Sequence, residues 1–452
     1  KNKINIIPAG TRVELYKALP DNKETFNNMF IDDSFNIKNE ELFKRRIIGL
    51  TSYFRDIEKL MPQYDKKDNF HIIKIEMSHY QFGVYEQARV AERKLESVNK
   101  KRKKKGAAKN VKDLYKDSVS TYRIFSRMFC NFVFPRDPNV RRPMPNDNDD
   151  IETAIEQKMD EITVDAVKID ELEQTDIEAS IATDTNIEQK EEANSNVSAD
   201  ATYENRISAA LDYLFEHKDE YLTPEALQTY GPKFLNILEN ITDMNHPGSH
   251  LIYTQFRQLE GIGILRLVLL ANGFAEFDVK KNKNTGEWSL NIPEDELHKP
   301  KFVLYTGTES AEKKELIRNI FNSNWDNLQP QLIKQLTQIG ENNFMGEIVK
   351  VFMITASGAE GISLKAVRYV HLTEPYWHPV RLEQVIGRAR RICSHKDLPK
   401  DMQTVEVFLY LMTFTEEQLT GDEARELKKN DKGKLTTRPL TSDEALYEIA
   451  SI

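Results

Sequence analysis

The chain has 452 residues and a formal net charge of −9, enough length for two to three domains and a sizeable core. Its two cysteines, Cys130 and Cys393, are too few for a disulfide framework and fit a reducing compartment. No run of about eighteen apolar residues occurs, which excludes a helical membrane span, and Lys1–Pro8 lacks the apolar core of a secretory signal.

In chain order, the first signal is Met29-Phe30-Ile31 followed by Asp32-Asp33. An acidic pair after an apolar run can hold a metal, but Ser34 and Asn36 follow it and no phosphate loop precedes it, so a turn is expected. Phe43 to Phe54, F-K-R-R-I-I-G-L-T-S-Y-F, reads as a helix and turn, and Phe70 to Met77 as an extended run. Ser78 with Gln81 three residues on forms a capping box that opens a long helix through Tyr85, Arg89 and Arg93. That helix becomes strongly basic at Lys101-Arg102-Lys103-Lys104-Lys105, which reads either as a nucleic-acid contact or nuclear address or as a solvated run. The aromatic segment Tyr122 to Pro135 is expected in the core, with Arg123 and Arg127 on one exposed face.

The net charge is unevenly spread. Residues 146–200 hold eighteen Asp or Glu against Lys158, Lys168 and Lys190, a local −15, so with −9 overall the remainder carries +6. A mildly basic body suits a phosphate backbone, bound in a salt-dependent way. The acidic stretch has few aromatics and no sustained period, and is expected to be a disordered loop; an acidic arm that mimics nucleic acid or recruits a basic partner is the alternative. After it, Tyr230-Gly231-Pro232-Lys233-Phe234 starts a helix through Ile241.

From residue 249 strands and helices alternate, which implies a parallel sheet covered on both faces. Ser249 to Phe256 reads as a strand with a polar-aromatic tip, followed by an apolar helix through Leu270. Phe302-Val303-Leu304-Tyr305-Thr306-Gly307-Thr308 is a strand and turn, and the next helix carries Lys313, Lys314, Arg318 and Phe321. Val349 to Thr355 is an apolar, β-branched run ending in Ala356-Ser357-Gly358-Ala359-Glu360-Gly361-Ile362-Ser363-Leu364, whose small residues let the backbone approach a ligand at the strand's carboxyl end. Exposed N–H groups there favour a phosphate. Tyr369 to Leu372 and Val405 to Leu411 supply further strands, and Glu374-Pro375-Tyr376-Trp377-His378-Pro379 lies between them. Next comes Gln384-Val385-Ile386-Gly387-Arg388-Ala389-Arg390-Arg391. Read as one helix, it puts Gln384, Arg388 and Arg391 at i, i+4 and i+7 on a single face. Arginine's planar fork of donors suits a phosphate, and in phosphoryl transfer such a residue neutralises developing charge. A solvated basic surface helix is the plainer alternative. Cys393 and His395 lack the partners of a metal site, and no metal ligands are assigned.

These segments, in this order, resemble the carboxyl-terminal lobe of superfamily 2 helicases and translocases. Q-x-x-G-R-x-x-R is similar to their last motif, S-G-A-E-G-I-S-L to a motif touching nucleic acid near the nucleotide, and E-P-Y-W-H-P to the D-P-x-W-N-P element of Swi/Snf-type enzymes, with His378 where Asn is usual. Gln384 to Pro399, with F-K-R-R-I-I-G-L-T-S-Y-F and C-N-F-V-F-P (Cys130–Pro135), carries a finer resemblance to helicases of large DNA viruses, of the early transcription factor small subunit and nucleoside triphosphatase I type. The resemblance implies an α/β fold: a RecA-like parallel sheet flanked by helices, with a helical amino-terminal extension and the acidic insert. The expected divisions are 1–70 (end of a first lobe and linker), 71–145 (linking strand and basic helix), 146–202 (insert), 203–248 (helical lead-in), 249–415 (RecA-like lobe) and 416–452 (tail).

It further implies a nucleic-acid-dependent ATPase of viral transcription, using ATP with Mg2+ held mainly by a first lobe. Arg388 and Arg391 would act as arginine fingers, and Gln384, Gly387, Gly358, Glu360 and Gly361 would lie at the nucleotide. Gln255, Thr306, Gly307, Thr355, Ser357 and Trp377 would contact nucleic acid, duplex DNA being favoured over RNA. Viral RNA polymerase is an expected partner, and virion and host cytoplasm, or else nucleus or cytoplasm, the expected location. A strand-separating helicase and a non-catalytic helicase-like scaffold are the alternatives. No G-x-x-x-x-G-K-[ST] loop occurs, and Gly433-Lys434-Leu435-Thr436 lacks its upstream glycine, so the chain is not expected to hydrolyse ATP alone. Its start at Lys1 suggests the carboxyl part of a longer polypeptide or one product of a split gene.

Overall fold

The computed structural model describes residues 3–7, 10–14, 18–20, 22–32, 37–49, 57–105, 123–137, 140–143, 197–306, 309–355, 361–421, 425–433 and 436–451. They divide into two compact units, Lys1–Leu60 and Met61–Ile452.

In the first unit, strand β1 (Lys3–Ile7) pairs antiparallel with β2 (Gly10–Glu14), and two helices follow, Lys23–Phe30 and Glu40–Ile47. The Asn22 side chain caps the first helix by accepting from the Glu24 amide at 2.8 Å, satisfying an N–H that the helix leaves unpaired. Phe43 of the second helix packs its ring on Phe26 and Phe30 of the first. Ile31 and Ile37 bridge antiparallel; of the acidic pair read as a turn, Asp33 lies outside the described residues.

The second unit is built on β3 (Phe70–Glu76), β4 (Ser249–Tyr253), β5 (Ala275–Glu276), β8 (Lys301–Tyr305), β9 (Val351–Ile354), β10 (Val367–Leu372) and β11 (Glu406–Thr413), with a small antiparallel pair, β6 (Val279–Lys281) and β7 (Trp288–Leu290), between β5 and β8 in sequence. The seven strands lie in the order β3-β11-β10-β4-β9-β8-β5, and every neighbouring pair is parallel. Successive side chains point to opposite faces, so a strand buried on both sides must be apolar throughout. Val407, Leu409 and Leu411 accordingly enter one core, with Leu316, Ile320, Leu382, Val385 and Ile386 from two helices. Phe408, Tyr410 and Met412 enter the other, with Phe234, Ile237, Leu265 and Val268. The expected parallel sheet with helices on both faces is what forms.

The sheet reaches outside residues 249–415. β3, from the segment read as a link, pairs with β11 from Phe70↔Val407 to Glu76↔Thr413, and its exposed Ile72, Lys74 and Glu76 mark it as an edge strand. In the residues read as a tail, helix Ser442–Ser451 buries its first five residues, and Asp443 accepts from the Met412 amide at 3.0 Å. Helix Val197–Glu216 begins inside the stretch read as the insert, most of which lies outside the described residues.

Two local expectations are corrected. The long helix His79–Lys105 does start under Ser78, whose Oγ accepts from the Gln81 amide at 3.0 Å, but the Gln81 side chain does not reach back. It donates to the Phe129 carbonyl at 2.8 Å, since Gln81 is fully buried and that carbonyl is the acceptor at hand. Arg123 and Arg127 are not exposed. Asp431, far along the chain, pairs with Arg123 at 3.1 Å and with Arg89 at 3.0 Å, while Arg127 is 4% exposed and donates to Gln255. Long-range polar partners make burial of these side chains tolerable.

Candidate nucleotide and nucleic-acid site

Strand register aligns the carboxyl ends of four strands. Leu372 pairs with Tyr253, Tyr253 with Ile354, and Ile354 with Tyr305, so these four residues form one row across β10, β4, β9 and β8. The residue that follows each is a threonine: Thr373, Thr254, Thr355 and Thr306, all buried. Ligands of open parallel sheets sit outside this edge, where the strand order changes direction. Here that place is β4: the chain runs from it to β5, returns through β8 and β9 beside it, and then crosses to β10 on its other side.

At the β4–β10 end, a buried polar chain holds the edge together. The Glu374 carboxylate accepts from Thr254 Oγ1 at 2.6 Å, Asn131 Nδ2 at 2.5 Å and the Gln255 amide at 3.1 Å. Asn131 accepts in turn from Lys233 Nζ at 2.9 Å, and Lys233 pairs with Asp443 at 2.5 Å, both side chains fully buried. Burial pushes the Glu374 carboxyl above its usual range, opposed by the Lys233 charge and by the three donors. Gln255, expected to meet a phosphodiester, has both side-chain groups engaged within the protein: Oε1 accepts from Arg127, and Nε2 donates to the Pro375 carbonyl at 3.2 Å. The turn that carries it needs glycine twice. A Cβ at Gly261 would lie 1.7 Å from the Phe256 carbonyl oxygen, and one at Gly263 1.8 Å from that of Gln258.

At the β8 end, Thr306 donates its amide to Glu309 Oε2 at 3.0 Å and its hydroxyl to Glu309 Oε1 at 2.9 Å. A carboxylate thus occupies the two donors through which Thr306 would bind a phosphate oxygen. Gly307, Ser357, Gly358 and Glu360 lie outside the described residues.

The arginine motif stands beside this edge. Helix Pro379–Ala389 opens under His378, whose Nδ1 accepts from the Val380 amide at 3.2 Å, so His378 fills the capping role that Asn fills well. The helix is shorter than the motif. It ends at Ala389, with Arg390 already non-helical (φ −99, ψ 76), so Arg391 does not share a helical face with Gln384 and Arg388. The cause lies downstream: Ser394 Oγ donates to the Ala389 carbonyl at 3.1 Å, His395 Nε2 bonds the Val367 carbonyl at 2.9 Å, and Cys393 adopts φ +58. His395 thereby has a structural role, and burial depresses its pKa to about 4. Arg391 and Gln384 are exposed, and Arg388 and Gly387 half-buried. The Leu364 amide donates to the Arg388 carbonyl at 3.2 Å, joining the end of the glycine-containing loop to the end of the arginine helix. Gly361 has φ +66 and needs glycine for its backbone, whereas a Cβ at Gly387 would meet no atom within 4 Å. Arg390 stacks on the Tyr64 ring at 4.3 Å, and Trp377, 38% exposed, lies between Tyr376 and His378.

Sequence reading gave Asn131, Lys233, Glu309, Glu374 and Asp443 no place in the site. Glu374, Asn131 and Lys233 lie in segments that the sequence singled out, Glu374 two residues past the end of β10, but nothing local marked them as partners.

Residues 290–393 match the helicase conserved C-terminal domain, and they lie in an all-parallel sheet flanked by helices, the architecture of a RecA-like helicase carboxyl-terminal lobe. The proteins this chain is similar to include helicases and a nucleoside triphosphatase I of large DNA viruses. It is 26% identical over 421 residues to an Acanthamoeba polyphaga mimivirus protein named as an ATP-dependent RNA helicase, covering 86% of this chain and 44% of the relative. A second such mimivirus protein is 29% identical over 71% of this chain and 48% of its own length. The termination factor NPH-I homolog of African swine fever virus (Kenya isolate) is 31% identical over 41% of this chain and 26% of its own length. The chain spans about half the length of the first two relatives, or less.

Proposed function

We propose that this chain is the second lobe of a nucleic-acid-dependent ATPase, a helicase or DNA translocase of viral transcription, which completes an ATP site on a first lobe with Arg388 and Arg391. The observation that carries this reading is the junction between the Gly361–Leu364 loop and the end of the arginine helix, with Arg391 and Gln384 exposed beside it. ATP with Mg2+ would be held by the other lobe; Gln384 and Gly387 would lie against it, the latter leaving open space where a side chain would stand. This chain alone would turn over no ATP. The carboxyl edge, with Gln255, Thr306, Thr355 and Trp377, would follow the phosphodiester backbone of duplex DNA, in the virion and host cytoplasm, beside the viral polymerase. RNA is the second reading, favoured by the names of the two mimivirus relatives.

The test supplies the first lobe and replaces Arg388 or Arg391 by alanine. ATP turnover falls by about three orders of magnitude or more, as for an arginine finger, while nucleic-acid affinity stays near wild type. Retained turnover refutes the finger role.

A further inference from the structure

Arg127 is the charge on this edge that the functional reading does not use. Its guanidinium is 4% exposed, its Nε lacks a hydrogen-bond partner, and among the described residues no carboxylate pairs with it. Its contacts are with Gln255 Oε1 and with the face of Phe256, 5.5 Å from the ring centroid. The other buried arginines nearby are handled differently. Arg142 has Glu260, at 2.5 and 3.1 Å, and Arg89 and Arg123 have Asp431. The Glu374 and Asp443 carboxylates act on Arg127 through their charge without pairing with it, and Glu374 binds the Gln255 backbone amide instead. A buried cation without a directly paired anion is costly, and such groups cluster where an anion is recognised.

We propose that Arg127 is a phosphodiester-contacting residue of the nucleic-acid path, latched by Gln255 until a backbone phosphate takes the place of the Gln255 carbonyl oxygen. The inference rests on the reading of the carboxyl edge as the nucleic-acid face. Gln255 is suited to the exchange: it is only half-buried, it follows β4 at the crossover of the sheet, and its amide group is held by single bonds on either side. A phosphate oxygen offers a guanidinium a charge-assisted bond in place of a neutral one, and the released Gln255 amide becomes a further donor.

The experiment measures binding of the 452-residue chain to a fluorescein-labelled DNA duplex and to the RNA duplex of the same sequence, by anisotropy across a salt series. Arg127→Gln weakens binding about tenfold or more at low salt and lowers the slope of log K against log [salt] by about 1, the signature of one lost phosphate contact. Wild-type slope and affinity in Arg127→Gln, with or without a fall in thermal stability, overturn the proposal. Should Arg127→Gln fold poorly, Arg127→Lys carries the test: charge is kept, so the slope holds while affinity drops several-fold with loss of the fork, and unchanged affinity overturns it. Failure of the wild-type chain to bind either duplex sinks the functional reading and this inference together; normal wild-type binding with indifferent variants sinks this inference alone.

Discussion

The two halves of the carboxyl edge solve one problem in opposite ways. At both ends a buried threonine closes a strand, and at both a carboxylate accepts from its hydroxyl: Glu374 from Thr254 and Glu309 from Thr306. Glu374 is anchored through Asn131, Lys233 and Asp443, residues that reach the edge from three distant stretches of chain. Glu309 is local, three residues from the threonine it serves, and half-buried. The first arrangement is built into the core and fixes the shape of the edge. The second rests on a half-buried carboxylate that a competing anion can displace from the Thr306 donors. A rigid half and an exchangeable half suit a surface that must keep its register on a polymer while releasing it.

The largest break in this comparison is at Lys233. Lys233→Met leaves Asp443 buried without its cation and Asn131 without its donor, and removal of one member of a buried pair costs about 3–5 kcal/mol. Urea unfolding should show that loss. Combining it with Asp443→Leu should restore part of it, because both buried charges are then gone, the remainder reflecting the Met412 amide that loses its acceptor. A loss under about 1 kcal/mol in the single variant would mean that the rigid half is held by something other than this chain of bonds.

The exchangeable half is tested at Glu309. Glu309→Gln keeps the shape but removes the charge that occupies the Thr306 donors, so duplex binding should tighten about threefold to tenfold at low salt. Anisotropy titration reads it directly. Weaker binding would show that the carboxylate holds the threonine in its binding geometry, making the two halves alike.

How much of this was legible in the chain follows from the same contrast. The strands announced themselves because a sheet buried on both faces demands apolar, β-branched runs, and the residues after Val349 to Ile354 and Phe302 to Tyr305 marked where the edge would be. Local chemistry of that kind is written in neighbouring residues. The Glu374 network was not legible: Asn131 and Asp443 lie 243 and 69 positions from Glu374, and no periodicity links them. Arg123 and Arg127 misled because charge in an aromatic run reads as surface, whereas Asp431 and Gln255, supplied by folding, give them partners in the interior. The arginine helix was read too long for a related reason. Its end is set by Ser394 and His395 bonding back to Ala389 and Val367, contacts that helical spacing does not encode.

The smallest expected effect refines the rigid half, at the loop that joins Glu374 to the arginine helix. His378 stands where an asparagine is usual in the resembling enzymes, yet its Nδ1 performs the same service, accepting from the amide of Val380 in the first turn. Only the neutral ring has that lone pair, since both nitrogens of imidazolium are donors. His378→Asn should therefore change stability by no more than about 0.5 kcal/mol at neutral pH, while His378→Ala leaves the first turn uncapped and costs about 1 kcal/mol. Urea unfolding reads both, and an equal loss in His378→Ala and His378→Asn would mean that the cap does not hold the loop, and that Trp377 is positioned by its neighbours Tyr376 and Pro375 alone.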